Sequence, residues 1–116
     1  MATRDKELFK IVDALAEVQR TSGNQYDTLK VRGKVFGYFW PRTQTVGLKQ
    51  TLSEQEALVS ERPDVFEVQF TAGGFGWVVV HLEGVERDEL AELTFEAWRL
   101  SAPAAVVDER ADVLPS

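Results

Sequence analysis

The spacing of apolar residues switches between helical and extended period along this chain, and that alternation limits its possible architectures. Leu8, Ile11, Val12, Leu15 and Val18 recur at i, i+3, i+4, i+7 and i+10. That is one face of a helix, predicted from about Thr3 to before Gly23. Leu29 and Val31 then alternate with Lys30 and Arg32, Arg32-Gly33 offers a tight turn, and Val35 to Trp40 is rich in strand-forming rings. Pro41 stops that strand, and Thr45 to Gln50 makes a third. Ser53-Glu54-Gln55-Glu56 reads as a capping box opening a short helix that Pro63 ends. Phe66, Val68 and Phe70 alternate with Glu67 and Gln69, and Trp77 to Leu82 reads as a central strand. A last helix spans about Glu86 to Ala102, with Leu90, Leu93, Ala97 and Trp98 inward.

The expected order is α-β-β-β-α-β-β-α. Hairpins rather than βαβ crossovers dominate that order, so the sheet is expected to be mostly antiparallel. The fold class is therefore α+β, an antiparallel sheet of about five strands with three helices. At 116 residues the chain is one domain. Residues 1–103 form it, and 104–116 read as a C-terminal tail without periodicity.

Chemistry is excluded more readily than assigned. The chain has no Cys, which removes disulfides, thiol nucleophiles and Cys-ligated metals. His81 is the single histidine, read as a strand residue facing solvent or half-buried, with no orienting partner in sequence. Gly73-Gly74-Phe75-Gly76 precedes a strand, whereas a phosphate-binding loop needs a helix N-terminus after its glycines, so a hairpin turn is expected. No serine sits in a nucleophile elbow. The longest apolar run, Trp77 to Val80, is far too short to cross a bilayer. Met1 to Lys10 has no apolar leader core, so the expected location is cytoplasmic.

Charge is unevenly placed. Nineteen acidic residues against thirteen basic give a net −6. Residues 27–50 nevertheless hold Lys30, Arg32, Lys34, Arg42 and Lys49 against Asp27 alone. Phe36, Tyr38, Phe39 and Trp40 lie inside that segment. Rings beside cations are how single strands are gripped, with bases stacked and phosphates neutralised. Strict alternation puts Phe36, Tyr38 and Trp40 on one face and Val35, Gly37 and Phe39 on the other. Tyr38 and Trp40, with polar tips, are the rings expected to be partly exposed. The last helix carries Glu86, Asp88, Glu89, Glu92 and Glu96, a solvated acidic face.

Lys30 to Phe39 (K-V-R-G-K-V-F-G-Y-F), T-V-G-L-K at 45–49, F-G-W-V-V-V-H-L at 75–82 and D-E-L-A-E-L-T-F-E-A-W-R-L-S-A-P at 88–103 together resemble the MmcQ/YjbR family. The resemblance covers about residues 27–103. It implies a CyaY-like α+β fold, described as a double-wing DNA-binding motif, in small bacterial cytoplasmic proteins. It brings no catalytic residues and no cofactor. Two departures stand out: Ala104 follows Pro103 where many members place a basic residue, and Gln69-Phe70-Thr71-Ala72 stands where Pro or Tyr is common.

The resulting expectation is a non-enzymatic DNA-binding domain. Lys30, Arg32, Lys34, Arg42 and Lys49 contact phosphates, and Tyr38 or Trp40 stacks or wedges. The alternative is a protein-interaction adaptor that uses the acidic C-terminal helix to hold a basic partner. A weak oxygen-ligand metal carrier is a third reading, suggested by the acidic helices and the frataxin-like fold. No membrane partner is expected, and the assembly is a monomer or weak dimer.

Overall fold

Helix α1, Asp5–Asp13, buries Leu8, Ile11 and Val12, as the spacing predicts, but stops well short of Gly23. Glu17 takes a φ of 58°, and the chain turns into a strand, β1 (Val18–Ser22). Thr21, Ser22 and Gly23 are weak helix formers. Pairing with β2 (Asp27–Val31), in the register Val18 to Val31, satisfies their backbone instead. Val18 fits a helical stripe and a strand equally well, and the ladder decides between them.

The computed structural model describes residues 5–106. After β2 come β3 (Lys34–Trp40), β4 (Thr45–Thr51), α2 (Leu52–Glu61), β5 (Phe66–Ala72) and β6 (Phe75–His81). A single 3₁₀ turn (Leu82–Gly84) and α3 (Arg87–Ser101) complete the order. The fold is α+β with an antiparallel sheet of six strands rather than five, ordered β1-β2-β3-β4-β6-β5. The extra strand is β1. Two hairpins close on paired positive φ values, 48° and 81° at Arg32-Gly33 and 59° and 84° at Gly73-Gly74. Both are primed turns that match the twist of their strands, and the glycine-rich segment is a hairpin as expected.

The capping box lies two residues earlier than expected. Thr51 Oγ1 accepts from Glu54 N at 3.1 Å, and Glu54 Oε1 accepts from Thr51 N at 3.4 Å. The pattern Ser/Thr-x-x-Glu occurs twice, at Thr51 and at Ser53. The earlier copy wins because β4 stays paired through Thr51, opposite Phe75, and the helix starts at once. Gln55 is thereby buried against the sheet, while Leu52 stays exposed instead of stapling the helix.

One core joins the layers. Ladder register puts Leu29, Phe39, Val46, Leu48, Val78, Val80 and Phe66 on one sheet face. They pack with Leu8, Val12, Leu90, Leu93, Ala97 and Trp98 from the helices. Trp98 Nε1 donates to Ala16 O at 3.0 Å and Gln50 Nε2 to Leu93 O at 3.0 Å. Helix α2 joins the same layer. Leu58 and Val59 pack on the core, and Arg62 pairs with Glu89 of α3. All three helices therefore cover one face, and among the described residues the opposite face carries no helix. Val106, in the segment read as a tail, is buried against the core. The rest of that segment, from 107 on, lies outside the described residues. No helix among the described residues is long and apolar enough to cross a membrane.

Candidate functional site

The helix-free face is shaped by two β-bulges. In β3, Leu29 opposes Gly37 but Lys30 opposes Val35, so Phe36 is the extra residue. A bulge breaks strict alternation. Phe36 is fully buried in the core with Phe39, while Tyr38 and Trp40 stand on the other face. The expected grouping of Phe36 with Tyr38 and Trp40 is corrected by that single inserted residue. Gly37 lets the strand pack closely, since a Cβ there would sit 3.0 Å from Leu29 Cδ1 and 3.1 Å from Leu48 Cδ2.

In β5, Val68 opposes Val78 but Phe70 opposes Trp77, leaving Gln69 extra. Phe70 therefore leaves the face of Phe66 and lies beside Trp77. The rings form a row across the sheet. Phe70 and Trp77 stack at 5.1 Å between centroids, Trp77 and Tyr38 lie at 5.6 Å, and Tyr38 and Tyr26 meet edge-on at 5.6 Å. Trp40 flanks the row, 6.2 Å from Tyr38 and 6.1 Å from Tyr26. Tyr38 reaches Trp77 across β4 because its direct partner there is Gly47. Trp77 is buried outside the main core, beneath its ring neighbours. Tyr26 and Phe70 end the row and are 42% and 39% exposed.

The basic residues divide around this row. Lys30 shares its face by ladder alternation. Lys49 stands opposite Trp77, with its ammonium 4.2 Å from the Phe75 ring centroid and donating to Ser101 Oγ at 3.2 Å. Burial, and then the charge of Lys34, hold that ammonium below the ordinary lysine range. Lys34 is therefore a close neighbour of Lys49 at one end of the sheet. Arg42 is exposed in the β3–β4 turn at the other end, roughly 20 Å away along a strand of this length. Arg32 is bound to Glu17, its Nη2 donating to Glu17 Oε2 at 2.8 Å, and this hydrogen bond lowers the Glu17 carboxyl. The five cations thus do not make one patch. Lys30, Lys34 and Lys49 gather on one side of the rings, Arg42 stands apart, and Arg32 carries a partner.

The acidic residues lie in the other layer. Glu89 pairs with Arg62, and Glu96 with Arg99 at 2.7 Å. The Arg99 hydrogen bond holds the Glu96 carboxyl low. Glu92 is exposed and carries no ion pair among the described residues. His81 is half-buried and pairs with Glu67 on the ring-bearing face. No group of three or more His, Cys, Asp or Glu among the described residues could hold a metal ion.

The YjbR family model matches residues 13–100. The chain belongs to the YjbR family. The match reaches back over β1, ahead of the landmark motifs. The crystal structure of a Deinococcus radiodurans protein with the family-model domain DUF419 is similar, with a TM-score of 0.75 and 20% identity. The alignment covers 95% of this chain and 88% of that one. At such identity the likeness is one of fold. No curated protein sequence matches the chain. Sequence reasoning passed over Tyr26, Phe70 and Trp77 as members of a site. Their signal, aromatic spacing across three strands, is readable only once both bulges are placed.

Proposed function

We propose that this YjbR-family domain is a cytoplasmic, non-enzymatic DNA-binding module that uses its helix-free face. The observation carrying this reading is the separation of chemistry by the sheet. Five aromatic rings and Lys30 lie on the helix-free side, Lys49 starts from that face but sends its ammonium to Ser101 of α3, and the acidic run of α3 lies in the helix layer. The net negative charge therefore favours one orientation, with the helices turned away from phosphate. Lys30, Lys34, Lys49 and Arg42 contact phosphates, and the rings supply apolar area.

The test is fluorescence anisotropy of labelled DNA at about 50 and 200 mM salt. Four phosphate contacts give a log–log salt slope of about −3 to −4 on duplex. Charge reversal at Lys30 and Lys49 together should abolish micromolar binding. Binding unaffected by both reversals would place the contact elsewhere.

A second reading is favoured by a groove of about 780 Å³ between α1 and α3. Ile11, Leu15 and Leu93 line it, with Glu54, Glu92 and Glu96 among its polar groups. It suits a basic, partly apolar protein segment. A pull-down in which reversal of Glu92 and Glu96 removes no partner counts against this adaptor role.

A further inference from the structure

We infer that the ligand of the helix-free face is single-stranded nucleic acid, whose unpaired bases stack on the Phe70–Trp77 and Tyr26–Tyr38 rings while Lys30, to one side of the row, meets its phosphates. The inference rests on the DNA-binding reading and narrows it from DNA in general to strands with open bases.

Three observations carry it. First, the rings lie on a sheet from which no helix projects. Duplex readers place a helix or a β-ribbon into a groove. Here the helices stand behind the sheet and carry the acidic residues, so they cannot approach a duplex without repulsion. Second, the ring geometry suits flat ligands. Phe70 and Trp77 are inclined by only 28°, and Phe70 keeps 39% of its surface open. A base laid on the outer face of Phe70 extends an existing stack. Tyr26, edge-on to Tyr38 at 81°, offers a second open ring at the far end of the row. A base in a duplex has both faces covered by its neighbours and can use neither ring. Third, the cations are few, and Lys30, Lys34 and Lys49 lie to one side of the row. A duplex binder of modest size needs a dense basic footprint, whereas stacking supplies much of single-strand affinity independently of charge.

The residue placement also assigns a role to the β5 bulge. Were Gln69 paired with Trp77 in a regular ladder, Phe70 would lie on the face of Phe66, and the Trp77 stack would lose its open member. The bulge is held from behind. Gln55 Nε2 donates to Phe70 O at 3.2 Å and to Trp77 O at 2.9 Å, tying the backbone of both stacking residues to α2.

The experiment compares the full chain against three probes of equal length, about 12 nucleotides: oligo-dT, an abasic strand with the same phosphates, and a duplex. The expected order is oligo-dT tighter than both others. Phe70→Ala should weaken oligo-dT binding by roughly 5- to 100-fold. Its salt slope should stay unchanged, because no phosphate contact is lost. Phe70→Tyr should restore binding, and circular dichroism reports whether each variant is folded. Phe70→Leu keeps apolar bulk and should still lose most of the affinity. If the duplex and the abasic strand bind as well as oligo-dT, stacking is refuted while DNA binding through the cations stands. If no probe binds at about 50 mM salt, the DNA-binding reading itself falls, and this inference with it. If Phe70→Ala instead dissolves a dimer seen by light scattering, without altering any base preference, the row is a self-association face and the inference is overturned.

Discussion

Gln55 offers the sharpest test of how this face is built. It is 7% exposed and its amide nitrogen serves two carbonyls, Phe70 O and Trp77 O, beside the β5 bulge. Gln55→Leu keeps the volume and deletes the donor, so no cavity term enters. Each net hydrogen bond is worth about 1 kcal/mol, and a buried carbonyl left without a donor costs about 1–3 kcal/mol. The expected loss is therefore about 2–4 kcal/mol. For a domain of this size that lowers Tm by roughly 8–15 °C. With a urea m-value of about 1.5 kcal/mol/M, the midpoint falls by about 1.3–2.7 M at unchanged m. Gln55→Glu separates the bond from the packing. An ionised carboxylate cannot donate to a carbonyl, whereas the protonated acid can. Folding therefore raises the pKa of the introduced carboxyl. Its stabilising contribution is full below the ordinary glutamate value of about 4.3 and disappears as pH rises through the folded value. The Glu variant should thus gain on the Leu variant as pH falls from about 7 to 4. A midpoint shift below about 0.3 M for Gln55→Leu, or a pH-independent gap between the two variants, would refute the assigned role.

Other perturbations probe separate parts of the chain. Gly76→Ala should cost about 1–3 kcal/mol in urea denaturation, because the new Cβ would lie 2.7 Å from Gln55 Cβ and α2 must move. Gly47→Ala should cost less, since its nearest obstacle is the far end of the Gln69 side chain, which can swing away. Trp98→Phe should lose about 1–3 kcal/mol, because Ala16 O loses its indole donor. Lys34→Gln removes the neighbouring charge that helps hold the Lys49 ammonium low. An NMR titration should then place the Lys49 transition at higher pH, and no movement would show that burial alone sets it. The Glu96 carboxyl, held low by Arg99, contributes stability above the ordinary glutamate range that is lost as pH falls through its folded value. Glu96→Gln should therefore flatten part of the acid limb, by no more than about 0.5 kcal/mol for an i, i+3 pair.

Much of the fold was legible because local signals and tertiary packing agreed. The α3 stripe of Leu90, Leu93, Ala97 and Trp98, the Arg32-Gly33 turn and the Gly73-Gly74 turn each follow from residue type and spacing. The extra strand was not legible, since Val18 satisfies both periods and only pairing with Val31 decides. The capping box was legible as a pattern but ambiguous in register, and the length of β4 resolves it. The candidate site was half legible. Tyr38 and Trp40 stand out as amphipathic rings among cations, whereas Phe70 and Trp77 read as core residues. The ion pair of Arg32 with Glu17 could not be read either, because it joins the β2–β3 turn to a positive-φ residue ahead of β1.

Those misses share a cause. Alternation assigns faces only while every residue has one partner, and each bulge reverses the assignment for everything beyond it. Two inserted residues, Phe36 and Gln69, divide the aromatic content of this chain between two jobs. The first adds a ring to the core without disturbing Phe39, and leaves Tyr38 and Trp40 outside. The second brings Phe70 to Trp77. An unbulged sheet with the same sequence would put Phe36 on the ring-bearing face and Phe70 beneath the helices. It would break the row at the Trp77 end and leave the core short of a ring on the β3 side. Deleting Gln69, the unpaired residue, is by contrast expected to make β5 regular and to leave Phe70 opposite Trp77 on the ring-bearing face. Near-ultraviolet circular dichroism should then keep the signature of the Phe70–Trp77 stack, and a deletion variant that loses it would contradict the assignment of Gln69 as the inserted residue.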